Sequence, residues 1–304
     1  MNLITIFHRF PDQEACVEHL EKIRWGDKPE CPHCKSERVG RKADSGRVGR
    51  WNCHACHASF NVLAGTIFQK TRMPLQKWFL AIGLIVNAKK SLSSCQLSRD
   101  LDINQPTALY MQHRIRSAMA SGQGEMLQGI VEADETYVGG KPRKGNRHGK
   151  GGPGSIDNFM DPLPPKPKRG RGTSKTPVVG VVERGGAVRA KVATDLTGRG
   201  LLAFIKKHVT PEGSLLITDE YTAYNVMHKH IQHATINHAT QYADGETHTN
   251  TIEGFWSLLK RAWHGSHHKY SKNWMPLYVA EACWKYNHRE AVDGFSVFLR
   301  GCFA

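Results

Sequence analysis

Apolar positions along the chain change period several times, and each change predicts an element. Residues 11–24 repeat at helical spacing behind Pro11 and Asp12, and residues 75–87, 93–101 and 106–119 do the same. Residues 129–138 alternate instead, which predicts a strand with Ile130, Glu132, Asp134 and Thr136 on one side and Glu135 facing elsewhere. Two apolar runs at 178–184 and 187–193 flank Gly185-Gly186, a pair favoured in hairpin turns. A helix from Thr197 to His208, a short buried strand at 214–219 ending on Asp219, a short helix at 221–228 and a short strand at 234–237 follow. Residues 247–263 then read as a helix. At about 100° per residue Glu253, Ser257 and Lys260 share one side, while Phe255, Leu258, Leu259 and Ala262 occupy the opposite side. The last pattern, 273–290, places Trp274, Leu277, Tyr278, Cys283 and Trp284 in a core, with His288 and Arg289 closing the helix beside its dipole or a phosphate.

Composition narrows the partners. The chain has 304 residues and a formal net charge of +15, a surface that draws polyanions, nucleic acid before anionic membrane. No apolar run is long enough to span a bilayer. The first residues lack a basic lead and a small-residue cleavage site, so the expected location is cytoplasmic, in association with the nucleoid, with no membrane partner.

Of eight cysteines, Cys31, Cys34, Cys53 and Cys56 form two C-x-x-C knuckles at zinc-ribbon separation, and tight turns of this kind deliver two thiolates each to one side of a tetrahedral ion. Disulfides or a redox pair fit a cytoplasmic chain less well, and with four thiolates present His33, His54 and His57 are bystanders. Short strands are expected near Arg38-Val39 and around Trp51. The 94–119 segment reads either as a helix–turn–helix that presents Arg114 and Arg116 to DNA or as a plain helical bundle. Residues 139–177, rich in Gly, Pro, Lys and Arg, bury too little to order themselves. They suggest a loose electrostatic hold on phosphates through Lys141, Arg143, Lys144, Lys168, Arg169 and Arg171; a merely solvating loop is the alternative.

Carboxylates inside a strand need a reason, because Asp and Glu are poor strand residues. A metal provides one. The order of elements, a strand with Asp134, a hairpin, a helix, a strand ending at Asp219, and a later helix with Glu253, resembles the RNase H-like fold of the DDE transposases and integrases. Asp219 and Glu253 stand 34 positions apart, close to this superfamily's familiar spacing. Glu132-Ala133-Asp134-Glu135-Thr136-Tyr137-Val138-Gly139-Gly140-Lys141, Thr218-Asp219-Glu220-Tyr221 and the run from His248 to Arg261 are similar to the insertion-sequence transposases that join a zinc ribbon to a DDE core. So are Gly65-Thr66-Ile67-Phe68 and Pro74-Leu75-Gln76-Lys77-Trp78 after the cysteines, and the resemblance covers about residues 15 to 290.

This resemblance implies an α/β (α+β) architecture: an N-terminal helix at 1–26, a zinc ribbon at 27–64, a helical and DNA-reading region at 65–122, and an RNase H-like mixed sheet flanked by helices at 123–295 with its basic loop at 139–177. It implies a transposase that cleaves the ends of an insertion sequence and transfers the 3′-hydroxyl into target DNA. Two Mg²⁺ or Mn²⁺ ions would be held by Asp134, Asp219 and Glu253, hard oxygen ligands of the kind these cations prefer. One structural Zn²⁺ would sit in the ribbon. Lys260, with Arg261 beside it, would hold DNA next to the metal site. Alternative ligands are Asn250, Glu132 and His248, Asn being the third member in some relatives. The partners implied are the terminal inverted repeats, the target DNA and further copies of the chain in a dimer or larger synaptic assembly. The competing readings are an RNase H-like nuclease or junction resolvase that cuts without joining, and an inactive zinc-dependent DNA-binding regulator.

Overall fold

A computed structural model describes residues 1–42, 48–121, 124–139, 173, 175–236, 248–268 and 270–303. Its larger sheet has five strands: β4 (Ile130–Val138), β5 (Thr176–Glu183), β6 (Val188–Val192), β7 (Leu215–Thr218) and β8 (Gln232–Thr235). The spatial order is β6-β5-β4-β7-β8, antiparallel from β6 to β4 and parallel from β4 to β8. This mixed sheet, with helices on both faces, is the RNase H-like arrangement.

The alternation in β4 assigns its two faces. Val131 and Ala133 enter a core with α6 (Gly198–His208) and the 3₁₀ helix Thr222–Lys229. Val138, four residues beyond Asp134 and of the same parity, enters a second core with α7 (Asn250–Ala262) and α8 (Met275–Asn287). Glu132, Asp134 and Thr136 share that second face, as period-two patterning requires. The hairpin between β5 and β6 turns at Gly185, whose φ of 73° is a left-handed value that glycine adopts freely. Thr197 caps α6 by accepting a hydrogen bond from the Gly200 amide.

The first part of the chain builds a separate core. It contains α1 (Leu3–Arg9), α2 (Gln13–Trp25), α3 (Leu75–Asn87), α4 (Ser94–Leu101), α5 (Gln105–Ala120) and α9 (Gly294–Gly301). The region expected as one N-terminal helix is thus two helices, with Phe10 buried after the first. The chain's last helix returns to its first: Phe295 packs on Phe10 and Phe79, and the Met1 ammonium meets Asp293 at 2.9 Å. Between α2 and α3, β1 (Val39–Arg41), β2 (Arg50–Cys53) and β3 (Ser59–Asn61) form a small antiparallel sheet.

One buried ion cluster joins the two bodies. Arg116 of α5 is 1% exposed, and its Nε donates to Glu281 Oε2 of α8 at 2.6 Å while Lys285 Nζ donates to Oε1 at 2.7 Å. The guanidinium lies 4.2 Å from the Tyr278 ring. Burial alone would raise the Glu281 carboxyl, but Lys285 and Arg116 pull it well below the usual carboxylate range. Arg116, expected on a DNA-facing surface, therefore holds α5 to α8. Conversely Trp274, expected in the core, is 51% exposed and lies against His113 with ring centroids 4.4 Å apart.

Removing one member of such a cluster strands the others without solvent. Glu281→Gln is expected to cost roughly 3–5 kcal/mol in denaturant unfolding, whereas Arg116→Met, Glu281→Leu and Lys285→Met combined should recover most of the loss. Because the folded carboxyl titrates below its unfolded value, its contribution is complete above the unfolded pKa near 4.3. It is lost as pH falls from there through the folded value, so the wild-type advantage over Glu281→Gln should shrink in acid.

Candidate active site

A carboxylate that is 0% exposed anchors the site. Glu132 accepts hydrogen bonds from the backbone amides of Thr251 and Ile252 through Oε2, at 2.8 and 3.0 Å. The Thr251 hydroxyl and Arg184 Nε donate to Oε1 at 2.9 and 2.7 Å. Thr251 and Ile252 are in the first turn of α7, where amides have no intrahelical partner, and its N-cap Thr249 makes no side-chain cap bond. Glu132 supplies that cap from the neighbouring strand, with the sign the helix dipole favours. His248 also belongs to this network: Arg184 Nη2 reaches His248 Nδ1 at 2.9 Å and its carbonyl at 2.8 Å.

Two residues along β4, Asp134 sits under the same helix. Trp256 Nε1 donates to its Oδ2 at 3.0 Å. The indole can lie this close to the sheet because Gly180 is the β5 partner of Asp134, and a Cβ there would stand 2.7 Å from Trp256 Cη2. Burial, then the Glu135 carboxylate, then that of Asp219, push the Asp134 carboxyl up to about 7. The parallel register pairs Ala133 with Thr218, which puts Asp134 and Asp219 side by side where β4 and β7 run toward their C-terminal ends. Functional side chains commonly gather at such an edge.

Glu135 faces the other way, as its parity demands. The hydroxyl of Tyr224, itself 0% exposed, donates to Glu135 Oε2 at 3.4 Å. Burial raises the Tyr224 hydroxyl far above its usual range, and Glu135, Asp134 and Asp219 all add to the rise, so the three acids share one electrostatic field. On α7, Glu253 is exposed and Lys260 lies one face away from the core. Loss of surrounding water lowers the Lys260 ammonium, Asp134 opposes that, Lys175 adds to it, and Glu253 opposes it.

Asp134 and Asp219 thus meet at one edge of the sheet, and Lys260 lies within electrostatic reach of Asp134 and of Glu253. Among the described residues, however, the carboxylates are not grouped with their ligand oxygens all within 4.8 Å; that closeness belongs to the four cysteines alone. Asn250 is exposed on a different side of α7, and Glu132 has its carboxylate engaged by four donors. Arg114 donates to the Gln69 carbonyl and to the Tyr110 hydroxyl, and Arg261 is bonded to Ser257 on its own helix. Lys141, Arg143, Lys144, Lys168, Arg169 and Arg171 fall outside the described residues. Lys175 and Trp256 escaped the sequence reading. For Trp256 the only signal was a small residue, Gly180, opposite Asp134, visible once the strands are registered.

In the ribbon, Cys31, Cys34, Cys53 and Cys56 bring their sulfurs within 4.8 Å of one another. Cys31 to Cys56 is 3.7 Å and Cys34 to Cys53 is 3.6 Å, near the edge of about 3.8 Å that a tetrahedron with Zn–S bonds of about 2.3 Å requires. Lys35 and His57 follow the two knuckles with φ of 59° and 58°, so both turns reverse the same way. The four thiolates fit one structural zinc ion.

Family models match both parts of this anatomy. Residues 11–59 match the transposase zinc-ribbon domain, and residues 126–287 match the ISXO2-like transposase domain. A protein of the transposable element ISH50 of Halobacterium salinarum is 29% identical over 89% of both chains. A transposase-like protein of Haemophilus influenzae is 30% identical over 35% of this chain and 85% of its own. The Mos1 transposase paired-end complex with left transposon end is similar over 74% of each chain, at 13% identity and a TM-score of 0.32. No helix among the described residues is long and apolar enough to cross a membrane. With both its ribbon and its sheet domain matched, over more than half of its length, the chain belongs to the ISXO2-like transposases.

Proposed function

We propose that this transposase cuts DNA at the ends of an insertion sequence and joins the freed 3′-hydroxyl to target DNA, using divalent ions held by Asp134, Asp219 and Glu253. The observation that carries the reading is the meeting of Asp134 and Asp219 on adjacent parallel strands under a helix that bears Glu253 and Lys260. The Asp134 carboxyl, raised by loss of water and by the neighbouring Glu135 and Asp219 carboxylates, marks a place that favours a cation, and carboxylate oxygens are the hard donors Mg²⁺ and Mn²⁺ take. Bound there, two such ions would activate the attacking water or 3′-hydroxyl and stabilise the leaving oxygen.

The chain's own groups divide the remaining work. Trp256 fixes the Asp134 carboxylate through Oδ2. Asp219 is held at its turn by the Tyr221 amide, which donates to Oδ1 at 3.1 Å. Lys260, two turns of helix beyond Glu253, is placed to hold a phosphate beside the acids. The basic surface and α5, whose first turns are exposed around Gln105 and Tyr110, support DNA as the partner. Two ends must meet for joining, which calls for at least two copies of the chain.

Oligonucleotides carrying the element's terminal repeats, incubated with Mg²⁺ and a plasmid target, should yield cut ends and joined products. Asp219→Asn should abolish both, a loss of at least a thousandfold, while binding to the same DNA stays within about threefold; retained turnover would refute the site. Cutting without joining would instead indicate a nuclease.

Glu132 belongs to the helix, not the ligand set, and a titration of Mn²⁺ followed by its paramagnetic resonance separates the two roles. Asp219→Asn should weaken Mn²⁺ binding by at least tenfold, whereas Glu132→Gln should leave it within about threefold and lower the melting temperature.

For the ribbon, one zinc ion per chain is expected by elemental analysis. Its removal by a strong chelator should change the fluorescence of Trp51, which packs on Trp25 with ring centroids 5.8 Å apart. Zinc-free protein with an unaltered Trp51 signal would contradict the assignment.

A further inference from the structure

Helix α7 has three faces, and the metal site uses only one. Ile252, Phe255, Trp256 and Leu259 are buried against the sheet. Glu253 and Lys260 are exposed on a second face, with Lys260 within electrostatic reach of Asp134. Asn250, Gly254, Leu258 and Arg261 lie on the third face, roughly 60–140° around the helix from Glu253 at 100° per residue. This third face lines a cleft of about 1080 Å³ whose other walls are α8 and the connection from α3 to α4.

The charge of the cleft is one-sided. Lys89, Lys90, Arg261 and Arg289 line it. Its one lining carboxylate among the described residues, Glu281, is already matched by Arg116 and Lys285. Lys89 and Lys90 are exposed and lie within ion-pair distance of no carboxylate among the described residues.

Gly254 is the second observation. A glycine inside a helix costs about 0.5–1 kcal/mol relative to alanine, and it is kept where something must come close. Nothing among the described residues does: a Cβ built on Gly254 meets no heavy atom of theirs within 4 Å. The residue is exposed in the cleft, between Asn250 and Leu258. Close approach to a bare helix surface, next to unpaired ammonium groups, suits a sugar–phosphate backbone.

We infer that this cleft binds the backbone of the DNA on which the chain acts, on the flank of α7 next to the metal site. The inference rests on the reading of the chain as an enzyme acting on DNA. A quarter turn around a helix about 10–12 Å across spans roughly 8 Å, and strands rise about 3.4 Å per nucleotide, so the cleft contacts lie roughly two nucleotides from the scissile phosphate.

Fluorescence anisotropy with a labelled duplex of about four helical turns, in Ca²⁺ and over a series of salt concentrations, tests this. Each lost phosphate contact lowers the slope of log K against log salt by about 0.9. The Lys89→Ala/Lys90→Ala variant should flatten it by about 1.8, while Lys206→Ala/Lys207→Ala, on exposed α6 positions across the sheet, should leave it unchanged. Gly254→Leu should weaken binding about tenfold with the slope intact and the melting temperature unchanged or higher. Wild-type slopes and affinities in the Lys89/Lys90 and Gly254 variants would overturn the inference, as would an equal fall in slope for the α6 control. Wild-type protein that fails to bind at low salt would overturn the DNA-acting reading itself. A loss of cleavage with these binding effects intact would touch the metal assignment alone.

Discussion

A buried carboxylate on β4 governs the geometry of the catalytic half. Glu132 is surrounded by two helix amides, a hydroxyl and a guanidinium, and each hydrogen bond is strengthened by its charge. Without it, Arg184 would be left beside an apolar core and the first turn of α7 would lose its cap. Because the anchor is two residues from Asp134 on the same strand face, seating the helix and aligning the acids are one event. The indole of Trp256 then adds a second tie one turn further along.

The same logic explains the division of labour among like residues. Glu132 and Asp134 point to the same side of β4, yet one is held by donors and the other has acids for neighbours. Environment, not residue type, separates structure from chemistry here. The Arg116 cluster repeats the theme between the two bodies, where a guanidinium of α5 is turned inward to fasten α5 to α8. The ribbon uses soft thiolates for the same purpose, fixing a module too small to carry much core of its own.

Much of this was legible in the sequence because periodicity is local. The alternation of β4, the Gly185-Gly186 turn and the two-sided pattern of α7 each follow from a dozen residues or fewer, and the knuckle spacing specifies four ligands directly. What escaped depends on distant partners. Glu132 reads as an alternative ligand in the sequence, and the α7 amides that bond it come from about 120 positions away. Arg116 reads as a surface cation until Glu281 arrives from 165 positions on. Short helices such as α1 and α9 show too few periodic positions to stand out, and their apolar faces gain meaning only when they close on each other and on α3. Trp274 looks like core by type and is half exposed, because α8 turns toward α5 through Tyr278 and Glu281 instead.

The account's central claim is that β4, β7 and α7 together form one cation site. Anomalous diffraction from crystals of the full chain soaked in Mn²⁺ tests it most directly. The account predicts manganese between Asp134 and Asp219, with Glu253 drawn in from the rim of α7 and Glu132 still bonded to Thr251 and Ile252. Manganese bound elsewhere, or bound by Glu132 with Asp134 and Asp219 uncoordinated, would contradict it.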